Sequence, residues 1–279
     1  MMKRATPYLL LLPLTLYFLT FLVTPILIVA RYSLATRGPL GGVQFEWTLA
    51  NYAATLDPRY LDILARSLGY AGAATLICLL LAYPMAYWIA MQGGQRKGLL
   101  LLCLMLPFWT SFLVRIYAWK AILGAKGLLN LGLISCGLIS QPLQLLNSPF
   151  AVILGLVYGF LPFMALPIYV SLEKLDRTLM DAASDLGATP RTTFFKVVLP
   201  LSMPGVIAGC ILTFIPAIGD FVTPDLLGGP ENKMIGNVIE SKFFPEQDWP
   251  MGSAVACGLM ALLLVSLIAY TRRVVPEES

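Results

Sequence analysis

Six apolar runs dominate this 279-residue chain, at roughly 8–30, 67–90, 99–119, 148–171, 203–227 and 250–271. Each is close to the ~20 residues that cross a ~30 Å hydrocarbon core as a helix. Hydrophobic residues make up 58% of the chain and charged ones 12%, against about 25% charged in an average soluble domain. A soluble reading is therefore excluded. The pattern predicts an all-α polytopic membrane protein of six transmembrane helices. The first run follows Lys3 and Arg4. It exceeds the about 7–15 apolar residues of a cleaved leader, so it is expected to remain as the first helix.

Several chemistries fall away. The chain has no histidine, which removes imidazole acid–base catalysis, His metal sites and Ser-His-Asp triads. Of the five cysteines, Cys78, Cys103, Cys210 and Cys257 lie inside apolar runs and Cys136 outside them, and none forms Cys-x-x-Cys. They read as small apolar side chains rather than metal or redox groups. No cofactor, metal or nucleic-acid partner is expected, since the net charge of +4 is not gathered into a basic stripe with interleaved aromatics. No Walker motif is present, so an ATP site would have to come from another chain.

Basic residues orient the spans. With the N-terminus in the cytosol, Lys3, Arg4, Arg96, Lys97, Lys174, Arg177, Arg191, Lys196, Arg272 and Arg273 fall inside and eight others fall on longer outer loops. The positive-inside rule favours this arrangement, with both termini cytosolic. The outer loops are expected at about 31–66, 120–147 and 228–249, where Trp47 and Tyr52 could rest on the interface.

One polar stretch between spans four and five, Asp176 to Pro200, reads as two short helices. Asp176 can cap the first, whose apolar face is Leu175, Leu179, Ala182, Ala183 and Leu186. Gly187 falls where a left-handed residue stops it. Thr189 can cap the second helix, Pro190 suits its first position, and Pro200 is expected to end it. A helix–turn–helix with one apolar face suits docking into another protein.

These residues resemble the EAA loop of permease subunits from binding-protein-dependent ABC importers. The pattern is met by Asp181-Ala182-Ala183, Gly187, Val198 and Leu199-Pro200, with Asp in place of the leading Glu. The resemblance implies a type I importer (MetI-like) transmembrane fold. It implies one permease domain over 1–279, with a cytosolic coupling loop at 172–202. Implied partners are a dimer of ABC ATPase subunits, a second permease subunit (by analogy a paralogue), an extracytoplasmic solute-binding protein and the lipid bilayer. The implied location is the bacterial cytoplasmic (inner) membrane. The implied coupling residues are Asp181, Ala182, Ala183, Gly187, Leu199 and Pro200, and no catalysis is implied for the chain itself.

Charges inside spans are costly. Arg115 lies 16 residues into the third run and Asp220 lies 17 residues beyond Met203, each roughly 24–26 Å from the inner edge on straight helices. Three readings stand: an Arg115–Asp220 ion pair, Asp220 lining a solute path, or exposure at the membrane surface. Pro216, Gly219 and Pro224 beside Asp220 predict a broken helix, which membranes tolerate where backbone faces protein or a water-filled cavity. Pro84, Pro107, Pro162 and Pro167 are expected to kink other spans. Trp109, Tyr117 and Phe221 are candidate path residues, the aromatic faces being able to attract ammonium groups.

The stretch Gly219-Asp-Phe-Val-Thr-Pro-Asp-Leu-Leu-Gly-Gly-Pro230 is similar to spermidine/putrescine permeases of that family, which implies a polyamine as solute. The competing expectations are an importer of another small solute and a secondary transporter. The latter would need ionisable residues near the midplane of a span.

Overall fold

The computed structural model describes residues 6–39 and 41–274. Lys3 and Arg4, and the side chains of Arg272 and Arg273, lie outside the described part. In chain order the helices are α1 (Thr6–Phe18), α2 (Thr24–Ser33), α3 (Ala50–Thr55), α4 (Pro58–Gln92), α5 (Lys97–Met105), α6 (Phe112–Leu123) and α7 (Leu128–Ser135). They continue with α8 (Pro149–Glu173), α9 (Thr178–Asp185), α10 (Pro190–Thr193), α11 (Leu199–Gly219), α12 (Ile235–Phe243) and α13 (Trp249–Val274). Strands β1 (Thr36–Arg37) and β2 (Val43–Gln44) form one antiparallel hairpin, with Thr36 opposite Gln44. Met1–Asp62 with Val238–Ser279 make one compact unit, and Ile63–Asn237 make another.

In the first unit, α1, a π-helical turn at Leu19–Val23 and α2 form one helical run, and α2 and α3 pack on α13. Asn51 ties the turn after α2, its Nδ2 donating to the carbonyls of Ser33 and Ala35 at 3.0 and 2.7 Å. The Tyr52 hydroxyl pairs with that of Ser33 at 2.7 Å, so Tyr52 is held by the fold. Trp47 stands 80% exposed. The Arg37 guanidinium donates to the Glu246 carbonyl at 2.7 Å.

In the second unit, α8 and α11 form the central pair. Gly205 and Gly209, one turn apart on α11, let the backbones touch. A Cβ at Gly205 would stand 2.5 Å from the Pro167 carbonyl oxygen and 2.5 Å from Ser171 Cβ, and one at Gly209 2.9 Å from the Met164 carbonyl oxygen. Small residues at four-residue spacing replace the hydrophobic drive that lipid cannot supply, since close backbones gain dispersion contact. Beside this pair, Ile116 and Leu123 of α6, Ala151 of α8 and Leu227 form a buried apolar cluster.

Five described helical runs are long and apolar enough to cross a membrane, or six if one bent pair is a single span. That pair corrects the third span. Gly94–Trp109 and Phe112–Ser135 meet at 84°, so 99–119 is not one straight helix. Pro107 has no amide to give, the chain tightens to a 3₁₀ turn at Leu106–Trp109, and Thr110 and Ser111 are extended. The Thr110 hydroxyl takes up the Pro107 carbonyl at 2.7 Å. By contrast, α4 and α8 stay helical through Pro84, Pro162 and Pro167.

The expected outer loops contain helices. α4 begins at Pro58, nine residues before the expected span, and runs for 35 residues, about 50 Å and well beyond a ~30 Å core. α7 and α12 occupy parts of the other two.

Pro200 does not end the second short helix. α10, a π-turn at Phe194–Val198 and α11 continue as one 30-residue run from Pro190 to Gly219. A proline ring clashes with the carbonyl four residues back. For Pro200 that residue is Lys196, inside the π-turn, where the Leu199 amide reaches back to Phe194. The widened turn moves the carbonyl aside. The same device precedes Pro25, whose fourth residue back, Phe21, lies within the π-turn Leu19–Val23. The fifth span therefore begins before 203, and it stops at Gly219 rather than 227.

Gly205→Val is expected to lower the stability of the detergent-purified protein by about 1–3 kcal/mol, because the added atoms meet α8 backbone that cannot yield. Gly258→Val, at a glycine with open space around it, serves as the control in the same thermal melt. Equal melting temperatures for the two variants would refute the close α8–α11 contact.

Candidate functional site

The polar segment after α8 is built from local rules. The Asp176 carboxylate accepts from the Thr178 amide at 3.0 Å, opening α9. That backbone hydrogen bond holds the Asp176 carboxyl below its ordinary range, with a side-chain bond from Thr178 adding to it. At the other end Gly187 has φ +80°. Its amide donates to the Ser184 carbonyl at 2.9 Å and the Ala188 amide to the Ala183 carbonyl at 3.0 Å. This paired closure needs a left-handed residue. A Cβ at Gly187 would meet nothing within 4 Å, so the glycine answers to backbone conformation and leaves open space beside it. Thr189 caps α10, its Oγ1 accepting from the Thr192 amide at 3.3 Å, with Pro190 in the first turn.

α9 buries none of its residues in this chain. Asp181 lies in its first turn, Leu179 is 46% exposed and Leu186 88%. Ala182 is exposed, whereas Ala183 and Leu175 are half-buried. An amphipathic helix with an open apolar face is a surface awaiting cover. Leu199 and Pro200 are set apart from it at the start of α11, Leu199 half-buried and Pro200 exposed.

The second candidate region is the break after α11. Pro216 and Gly219 occupy its last turn, and Asp220 is extended (ψ 126°). Both Asp220 oxygens are engaged locally: Oδ1 accepts from the Val222 and Thr223 amides at 2.9 and 3.2 Å, and Oδ2 from the Thr223 hydroxyl at 2.5 Å. Asp220 thus caps the short helical turn that follows and leads into the π-turn Pro224–Gly228.

A set of amide side chains that sequence reasoning passed over holds the rest of the break. Asn237 Nδ2 donates to the Phe221 carbonyl at 2.7 Å and its Oδ1 accepts from the Met234 amide at 2.9 Å. Asn232 Nδ2 donates to the Gly228 carbonyl at 2.8 Å, and its Oδ1 accepts from the Tyr70 hydroxyl at 2.8 Å. Beside these side chains, the backbone N–H of Asn147, a residue at φ 58°, donates to the Leu227 carbonyl at 2.8 Å. Ser67 Oγ accepts from the Ile235 amide at 2.7 Å. The one available signal was composition: polar amides at the rims of apolar runs.

The proposed Arg115–Asp220 ion pair is absent among the described residues. Asp220 is used as a cap. Arg115, 8% exposed, has its guanidinium carbon 5.6–6.0 Å from the ring centres of Phe112, Phe108 and Tyr158. Its Nε has no hydrogen-bond partner. The equal-depth estimate assumed two straight helices, and both runs are broken. Trp109, Tyr117 and Phe221 are 72%, 56% and 45% exposed. Tyr117 lies on α6, whose Ile116 and Leu123 pack with Leu227 of the π-turn after Asp220. Trp109 sits apart, on the far side of the 84° bend.

The family described as "Binding-protein-dependent transport system inner membrane component" matches residues 78–275. Over 252 residues the chain is 46% identical to the spermidine/putrescine transport system permease protein PotB of Haemophilus influenzae, covering 90% of this chain and 88% of that protein. It is 45% identical over the same length to the protein of that name from Escherichia coli, covering 90% and 92%. The inner membrane ABC transporter permease protein YdcU of Escherichia coli is 38% identical, with 82% and 76% covered. Among solved structures, a bacterial ABC transporter involved in the import of the acidic polysaccharide alginate superposes with a TM-score of 0.75, covering 98% of this chain and 97% of that one at 16% identity. That likeness is one of fold.

Two measurements test the site's construction. Asp220→Ala is expected to cost about 1–2 kcal/mol of stability, and Asp220→Asn less, because asparagine keeps a capping acceptor. Equal losses would refute the capping role. The Asp176 carboxyl is lowered on folding, so its contribution is present above the ordinary carboxylate range and is lost as pH falls through the lowered value. Protection of the Thr178 amide from exchange should fall across that acid range, and in Asp176→Ala it should be low throughout.

Proposed function

The chain belongs to the family of binding-protein-dependent transport system inner membrane components, and on that premise we propose that it carries a polyamine across the membrane. It is a transmembrane subunit of an ABC importer and not an enzyme, so hydrolysis belongs to a separate ATPase. The observation that carries the substrate reading is the 45–46% identity, over 90% of the chain, to spermidine/putrescine permeases.

In this reading residues 1–279 act as one permease domain and 172–202 as its cytosolic coupling segment, both termini facing the cytosol. α9 inserts its open face into a groove of an ABC ATPase subunit. Asp181, Ala182 and Ala183 lie along the contact, Gly187 sets the angle between α9 and α10, and Leu199-Pro200 carry the movement into α11. A second permease subunit, a paralogue, supplies the other half of the path, and an extracytoplasmic binding protein delivers solute. ATP binding draws the two ATPase subunits together and turns the pathway outward. Hydrolysis lets it return.

The break after α11 belongs to the path. Pro216 and Gly219 end the helix and Asp220 fixes the chain beyond it. Because Asp220 is occupied as a cap, the exposed rings of Trp109, Tyr117 and Phe221 are the better candidates to meet ammonium groups, whose attraction to ring faces survives desolvation.

Co-expression with an ABC ATPase, a second permease and a binding protein, followed by uptake of labelled spermidine and putrescine, tests the reading. Uptake should require ATP. Gly187→Val forces a branched side chain into a left-handed backbone at a cost of about 1–2 kcal/mol. It should leave the protein in the membrane and abolish uptake. ATP-dependent uptake of a different solute would replace the polyamine, and uptake that follows the proton gradient without ATP would overturn the importer mechanism.

A further inference from the structure

We propose that Tyr83, Tyr87 and Phe194 form a stiff aromatic joint that makes the coupling segment and the C-terminal end of α4 move as one body. The inference rests on the importer reading. It identifies three positioning residues apart from the open helix α9: Phe194 within the coupling segment, and Tyr83 and Tyr87 on α4.

Phe194 opens the π-turn between α10 and α11, where a lever would otherwise flex. A π-turn spaces its hydrogen bonds five residues apart and is seldom extended, so the backbone alone is a poor transmitter. The Phe194 ring stands edge-on to two rings on α4. It lies 5.7 Å and 86° from Tyr83, and 5.6 Å and 84° from Tyr87. Tyr83 and Tyr87 are one helical turn apart, so they grip one ring from successive levels of the same face. Edge-to-face pairs are directional, unlike aliphatic contacts of equal area.

A hydrogen-bonded tie fixes the joint lengthwise. Ser202 of α11 is fully buried and donates to the Leu199 carbonyl at 3.0 Å. The Tyr83 hydroxyl therefore donates to Ser202 Oγ, at 2.8 Å. On the other side of the segment, Arg177 donates to the carbonyls of Ala90 and Met91 at 3.4 and 3.2 Å, closing the end of α4 with a cation where such a charge is favoured. The segment is thus held to α4 before α9 and after α10, at levels 83, 87 and 90–91. Between the two holds, α9, Gly187 and Thr189 stand open. A pull on the open part loads both holds together.

The test uses the full transporter, with its ATPase, second permease and binding protein, in proteoliposomes. All five native cysteines of this chain are replaced, and spin labels are placed through Gln92→Cys and Asp185→Cys. The expected label separation is the same in the nucleotide-free and ATP–vanadate states. Phe194→Leu, which keeps apolar volume and loses the ring, should make the separation shift with nucleotide. It should also raise the ATP consumed per spermidine imported by about tenfold, the scale of losing two directional contacts from a coupling path. Phe194→Tyr should restore both values. Three results would each overturn the joint: a separation that shifts in the parent protein, a Phe194→Leu variant like the parent in both readouts, or failure of both variants to assemble with the ATPase. If the parent takes up neither spermidine nor putrescine, the substrate reading fails, and the label separation still decides the joint.

Discussion

Hydrocarbon supplies no hydrogen bonds to a backbone, and most of what is distinctive in this chain follows from that. A helix satisfies its own amides and carbonyls, so a break must be served by side chains. At the break after α11 the service is nearly complete. The Val222 and Thr223 amides go to the Asp220 carboxylate, the Phe221 carbonyl to the Asn237 side chain and the Gly228 carbonyl to the Asn232 side chain, while the Leu227 carbonyl takes the backbone N–H of Asn147. The amides of Met234 and Ile235 go to Asn237 and Ser67. An unserved buried group costs about 1–3 kcal/mol, so removing these side chains one by one would release the break into competing conformations. Carboxamides suit the task because each both donates and accepts and carries no charge.

Lipid likewise withdraws the hydrophobic drive between helices, which leaves close contact as the means of holding α8 to α11. Gly205 and Gly209 provide it. Gly155 does the same for the break, since a Cβ there would stand 2.6 Å from Thr223 Cγ2 and 2.8 Å from Leu227 Cδ1. The apolar cluster around Ile116 and Leu227 then seats the π-turn against α6 and α8. Backbone approach and amide service are complementary: one brings the broken chain to its neighbours and the other fixes its conformation.

What could be read from the sequence was local. Asp176, Gly187, Thr189 and Pro190 act on backbone groups within five residues, so their types and spacing sufficed to place the first short helix and the start of the second. Pro200 misled because its effect depends on the turn before it, and widening that turn costs less than ending a helix that continues into a span. Arg115 and Asp220 misled because depth was counted along straight helices, and the breaks at Thr110–Ser111 and at Asp220 cancel the count. The holding role of Asn232 was out of reach, since it meets its Tyr70 partner 162 residues away. Contacts at that separation are set by topology, which one-dimensional spacing does not encode.

The two irregular regions solve opposite problems with different chemistry. The break after α11 holds one conformation through side chains bonded to backbone, and where those groups are buried directional bonds are strongest because the dielectric is low. The segment between α8 and α11, in the proposed coupling role, stays open to a partner in water, where an exposed hydrogen bond competes with solvent and adds little. Its holds are accordingly drawn back from the open part: rings at Phe194, Tyr83 and Tyr87, a buried hydroxyl at Ser202, and a cation on the last carbonyls of α4. The surface that remains, with Leu179 and Leu186 uncovered, is then free to be shaped by docking while its base is already fixed. A segment loose at its base would absorb a partner's movement, and one buried along its length would have no face left to receive it.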